Sequence, residues 1–136
     1  IVNPDPASGQ GGSLALAAQA AIAAGRDLLV LLADMPLVPG AHLAALARHC
    51  GAVAPRYPEG RAGVPACLPL AMLDRVAGHD GARGAGPLLA CLPGLSVLAA
   101  SREQLADVDT QDDLARVADR LAAMAALSHK FHKRDA

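Results

Sequence analysis

The sequence predicts an α/β fold, with helices packed on a mostly parallel sheet. Three observations lead there. Short apolar runs alternate with longer Ala- and Leu-rich segments, the pattern of strands joined by helices. Gly and Pro stand at nearly every change of pattern, where turns are needed. The stretch "LLVLLADMPLVPG" at 28–40 opens with a continuous apolar run, and its length and flanking turn residues favour a strand covered on both faces.

The elements follow in order. Ile1 and Val2 read as the end of a strand, stopped by Asn3-Pro4-Asp5-Pro6. "ASGQGGS" is a flexible Gly loop, and Ser13 can cap a helix that runs to about residue 24 and ends at Gly25. A strand covers 28–33. Pro39-Gly40 opens a helix over 41–49, followed by Gly51. A short strand at 52–54 leads into "PRYPEGRAGVP", a loop or hairpin tip, and another brief strand at 66–68. A helix over 70–77 stops at Gly78, and "GHDGARGAGP" is a second Gly-rich loop. A helical turn or two at 88–92 precedes a strand at 95–99. Residues 105–108 run into Asp109, and Thr110 begins the last helix, to about residue 127. One domain spans 1–127, and the basic stretch "SHKFHKRDA" at 128–136 reads as a frayed tail.

Composition removes several function classes. Tyr57 and Phe131 are the only aromatic residues, so no base-stacking platform can be built. The formal net charge of −1 provides no field to recruit nucleic acid or an anionic membrane. No apolar run approaches the roughly 20 residues of a membrane span. Cys50, Cys67 and Cys91 lack a zinc-motif spacing and read as reduced thiols of a cytoplasmic protein.

Few residues are left to carry chemistry. Ligands of open parallel sheets bind beyond the carboxyl ends of the strands, and Asp34 stands there. It can hold a hard cation such as Mg²⁺, or it can satisfy backbone N–H groups of its own turn. In "LADVDTQDDL", Asp107 and Asp109 lie two apart, so an extended chain turns both to one face. Thr110 with Asp113 forms a plausible capping box, which leaves Asp109 either a helix-start residue or a second carboxylate for the same ion. In "GQGGS", Gly11 and Gly12 stand with Ser13 before a helix N-terminus, a place that favours an anionic or polar ligand edge, or serves only as a flexible lead-in. His42, His49 and Cys50 match no metal-site spacing, and Ser13 has no evident His–acid partners for nucleophilic catalysis.

In this order, "VNPDPASGQGGSL", "LLVLLADMPLV", "APRYPEGRAGVP" and "DVDTQDDL" resemble the nucleotidyltransferases of the MobA/MocA type, which include the molybdenum-cofactor guanylyl- and cytidylyltransferases and belong to the wider GT-A-like group. The resemblance runs from Val2 to about Val117. It implies a three-layer α/β/α, Rossmann-like fold with its N-terminal strands missing, and transfer of a nucleoside monophosphate from CTP or GTP to a phosphate-bearing acceptor such as molybdopterin, with loss of pyrophosphate. Under that resemblance Asp34 and Asp109 are the catalytic, Mg²⁺-holding carboxylates. Gly11, Gly12, Ser13 and Asp34 border the nucleotide, and Gly63 and Pro65 border the acceptor. A transfer of this kind depends on positioning and charge neutralisation, so the lack of a catalytic triad is expected.

Three departures stand out. The family's opening loop of the form L-A-A-G-x-S-x-R-x-G-x-x-K is absent. Met35 stands where cytidylyl-type members often have Gln, and Val64 where many have His. The family's G-D-x-G-A-R pattern fits the 78–86 loop in two registers, which leaves Asp80 and Arg83 with little weight. These departures lead to two expectations: that the chain is the C-terminal part of a longer domain, or that it is a non-catalytic nucleotide-binding or assembly remnant whose bare sheet edge pairs with another chain, as in a homo-oligomer. A ligand-binding domain of response-regulator or flavodoxin type is disfavoured, because its acidic or phosphate site lies near the N-terminus.

Overall fold

The turn residues do divide the chain into short strands and helices, but one hairpin changes the sheet that they make. The computed structural model describes residues 1–78 and 84–132. A 3-10 turn at Pro6–Ser8 leads into α1 (Gln10–Ala23), β1 (Leu28–Val30), α2 (Gly40–Ala47), β2 (Val53–Arg56) and β3 (Ala66–Leu68). A second 3-10 turn, Leu70–Met72, runs into α3 (Leu73–Ala77), followed by α4 (Ala85–Ala90), β4 (Ser96–Ala99) and α5 (Gln111–His132).

The strands form one sheet in the order β1-β3-β2-β4. β3 is antiparallel to both β1 and β2, whereas β2 and β4 pair in parallel. The sheet is therefore mixed rather than mostly parallel. The cause lies between β2 and β3. Tyr57 N–H donates to the Arg61 carbonyl at 2.8 Å, Gly60 N–H donates to the Tyr57 carbonyl at 2.9 Å, and Arg56 bridges to Ala62. The chain turns back with no crossover helix, so β3 must return antiparallel. Between β2 and β4 the chain also passes through α3 and α4, as a parallel pairing requires. The pairings still give β1, β2 and β4 one common direction, so their carboxyl ends share a rim, which the amino end of β3 also reaches.

Alternation along the strands divides the core between two faces. On one face, Ala54, Ala66 and Leu68 pack with Leu14 and Ala18 of α1, Leu73 and Val76 of α3, and Leu88 and Leu89 of α4. On the other, Leu46 of α2 meets Val53 and Cys67 in a much smaller cluster. Each fully buried Leu contributes about 1.5–3 kcal/mol, so the α1/α3/α4 face carries most of the stabilisation.

Two local expectations are corrected. The strand expected over 28–33, covered on both faces, stops at Val30 and forms an edge of the sheet. Its residues are half-buried, and Leu31 and Leu32 are 50% and 36% exposed. Its partner β3 is only three residues long, so the apolar run outlasts its ladder. α1 begins at Gln10 rather than after a Ser13 cap. Gly9, at φ 91°, makes the entry turn, and Gly11 and Gly12 lie inside the first helical turn. Glycine costs about 1 kcal/mol there, which the packing of α1 against α3 offsets. Ser13 Oγ instead accepts from Asn3 Nδ2 at 3.1 Å.

α5 starts where the sequence places it and continues to His132, taking in the first residues of the stretch read as a tail. Positions 79–83, with Asp80 and Arg83, and positions 133–136 lie outside the described residues.

Candidate functional site

The shared rim collects the residues that can do chemistry. β1 leads to Asp34, β2 runs directly into Tyr57, β4 leads towards Asp107 and Asp109, and Gly63 precedes β3. The decisive contact is between backbones: Val108 N–H donates to the Asp34 carbonyl at 2.9 Å. Two acidic segments more than seventy positions apart thus meet, with Asp107 and Asp109 flanking the bonded residue.

The side chains around this bond are arranged as the alternation of an extended segment requires. Asp107 and Asp109 are exposed while Val108 between them is half-buried. Asp34 is exposed beside buried Met35. Among the described residues no hydrogen bond reaches the carboxylates of Asp34, Asp107 or Asp109, so none is consumed as a turn or cap acceptor. The cap of α5 is made by other groups. Thr110 N–H and Oγ1–H donate to Asp113 Oδ2 at 2.9 and 2.6 Å, and Asp113 N–H donates back to Thr110 Oγ1 at 3.2 Å. The Thr110 hydroxyl, with help from Arg116, holds the Asp113 carboxyl below its ordinary value of 3.8.

A cleft of about 610 Å³ opens on the same side of the molecule. Its walls include Ser13 and Gln10 of α1, Leu31 and Leu32 beyond β1, Tyr57, Arg61 and Gly63 of the hairpin, and Gly86 of α4. Of the site residues expected from sequence, Ser13 and Gly63 line this cleft. Gly11 is buried inside α1, Gly12 is half-buried, and Pro65 is buried behind the wall. Asp34 and Asp109 stand outside the lining, at the Val108–Asp34 junction.

Tyr57 was not singled out by any motif. Its hydroxyl donates to the Val64 carbonyl at 2.7 Å and lies 4.0 Å from Met35 Sδ. Burial pushes this hydroxyl above its ordinary value of 10.0, and the negative charges of Asp107 and Asp34 add to the effect. Asp107, more than Asp109, therefore shares Tyr57's surroundings with Asp34. The spacing of D-V-D was the only sequence signal for it. Arg61 was also missed, because a lone Arg in a polar loop has no period.

Among the described residues, no group of three or more His, Cys, Asp and Glu side chains is arranged to hold a metal ion. Mg²⁺ does not need one. It commonly takes one or two carboxylates and completes its shell with water and substrate phosphates. The donors here are all carboxylate oxygens, exposed and free of hydrogen bonds, which fits that ion's chemistry. Cys67 is a core residue whose thiol burial pushes up, and Cys50 and Cys91 are free and exposed. No described helix is long and apolar enough to cross a membrane.

No curated protein matches the chain. A family model described as a MobA-like NTP transferase domain matches residues 1–108, a span that holds β1 to β4, the hairpin and the acidic segment up to Val108. With four-fifths of the chain matched and the acidic segments meeting at the carboxyl ends of its strands, the chain belongs to the MobA-like NTP transferase domain family.

Proposed function

We propose that the protein is a Mg²⁺-dependent nucleotidyltransferase that moves a nucleoside monophosphate from CTP or GTP to a phosphate-bearing acceptor of the molybdopterin kind. The observation that carries this reading is the Val108–Asp34 bond, which draws two acidic segments to one point on the rim. Family membership supplies the reaction class.

Asp34 would hold the ion, with Asp109 or its neighbour Asp107 as the second carboxylate. A bound Mg²⁺ supplies charge neutralisation for a triphosphate and its pyrophosphate leaving group. The chain's own residues have the positioning work. Ser13 would border the nucleotide from the cleft wall, with Gly11 and Gly12 in the helical turn behind it. Gly63 and Pro65 would border the acceptor. Leu31 and Leu32 give the cleft an apolar wall that keeps water from part of the bound ligand, and Arg61 brings a positive charge to it.

A second reading, a protein that binds nucleotide without transferring it, is favoured by one observation. Arg61 is the single cationic side chain on the described cleft wall, whereas a triphosphate is usually held by several.

Calorimetric titration of CTP and GTP, with and without Mg²⁺, tests the proposal. The expected result is Mg²⁺-dependent binding that weakens at least tenfold in Asp34→Asn, since even the outer partners of a metal ligand are worth about 10- to 100-fold. Affinity that ignores Mg²⁺, or survives the substitution, contradicts it. Pyrophosphate release in the presence of an acceptor separates transfer from binding alone.

A further inference from the structure

Tyr57 stands between the Gly63–Val64 wall of the cleft and the acidic turn at 34–35, and it uses two different parts of its side chain there. The ring lies over Gly63. A Cβ built on Gly63 would stand 2.6 Å from Tyr57 Cε2, closer than real Cβ atoms come, and 3.1 Å from Cδ2. The hydroxyl is bound to the Val64 carbonyl and lies beside the sulfur of buried Met35, next to Asp34. The ring therefore cannot swing aside without losing its hydrogen bond or its contact at Met35. Gly63 itself is held from behind, its N–H donating to the Pro55 carbonyl at 3.4 Å.

We infer that Tyr57 is a positioning residue: it acts as a strut that fixes the spacing between the acidic turn at 34–35 and the Gly63–Val64 segment, and so sets how a bound nucleotide and its acceptor face each other. The inference rests on the nucleotidyl-transfer reading. Its physical basis is that transfer between two bound phosphates depends on their separation, and a displacement of about 1 Å at a reacting centre can cost about a hundredfold. Glycine at position 63 is then explained by the ring above it, and the single tyrosine of the chain by the need for a rigid body with one polar end.

The test compares the wild-type chain with Tyr57→Phe and Gly63→Ala. Phe keeps the ring and removes the hydrogen bond, while Ala pushes the ring out of place. Amide hydrogen exchange at Gly63 is measured without ligand, and Mg²⁺·CTP and Mg²⁺·GTP affinities are measured by calorimetry. The strut predicts faster exchange at Gly63 in Tyr57→Phe. It also predicts a loss of nucleotide affinity of about three- to tenfold, the scale of one hydrogen bond, with melting of that variant little changed. Gly63→Ala should lose more. Unchanged exchange at Gly63 overturns the strut whatever the nucleotides do. Faster exchange with unaltered affinity in both variants overturns the positioning role and leaves local packing. If the wild-type chain binds neither nucleotide, the transfer reading fails first and the positioning role fails with it. The exchange result then shows whether the mechanical part of the inference stands.

Discussion

Tyr57 can be watched alone, because the sequence has no other tyrosine and no tryptophan. Burial, then Asp107 and Asp34, raise its hydroxyl above the ordinary value of 10.0. The folded chain thus prefers the neutral form more strongly than the unfolded chain does. The stability this contributes is fully present below pH 10 and is lost as pH rises through the raised folded value. Ultraviolet difference titration should give a midpoint above 10. Asp107→Asn should lower that midpoint without bringing it to 10, since burial is the larger cause. A wild-type midpoint at or below 10 contradicts the placement of Tyr57 beside the acidic rim. At this scale the acids were legible in the sequence: Asp34 ends an apolar run, and Asp107 and Asp109 show the spacing of one strand face. Tyr57 was not. A lone aromatic in a turn has no period, and its partners Val64 and Met35 lie 7 and 22 positions away, visible only once the hairpin has folded.

Helix and strand positions were readable because Gly and Pro mark their ends. Directions were not readable to the same degree. The expectation of a mostly parallel sheet treats every strand-to-strand connection as a crossover, but the segment after β2 folds on its own hydrogen bonds and sends β3 back. The start of α1 was misplaced for a related reason: packing against α3 overrides the weak helix propensity of Gly11 and Gly12, and propensity is all that the sequence displays. The start of α5 was placed correctly because its signal is local, Thr110 with Asp113. Thr110→Ala should cost about 1 kcal/mol of helix stability, read as lost helical dichroism or a lower melting temperature. The same cap should weaken in acid. The Asp113 carboxyl is held below 3.8, so its contribution is present above that pH and is lost as pH falls through the lowered folded value. On the thinner face of the sheet, Leu46 is the one fully buried side chain of α2. Leu46→Ala should cost about 2–5 kcal/mol, measured by urea unfolding. A loss below about 1 kcal/mol would show that α2 is not held there.

At the scale of the whole molecule, two apolar surfaces stay uncovered among the described residues. β1 is an edge strand followed by exposed Leu31 and Leu32, and α5 presents Leu114, Leu121 and Met124 at helical spacing with only Val117 buried among them. An uncovered apolar edge templates pairing with other chains. Sedimentation should therefore show association that grows with concentration and falls when Leu31 is changed to Lys. A monomer at every concentration contradicts this.

The proposed function requires that two segments remote in sequence serve one divalent ion on the rim of the sheet. Mn²⁺ in place of Mg²⁺, added with CTP or GTP, broadens the nuclear magnetic resonance signals of amides close to it. Asp34 and residues 107–109 should broaden together and recover when excess Mg²⁺ is added. Broadening confined to one of the two segments, or centred elsewhere in the chain, would contradict it.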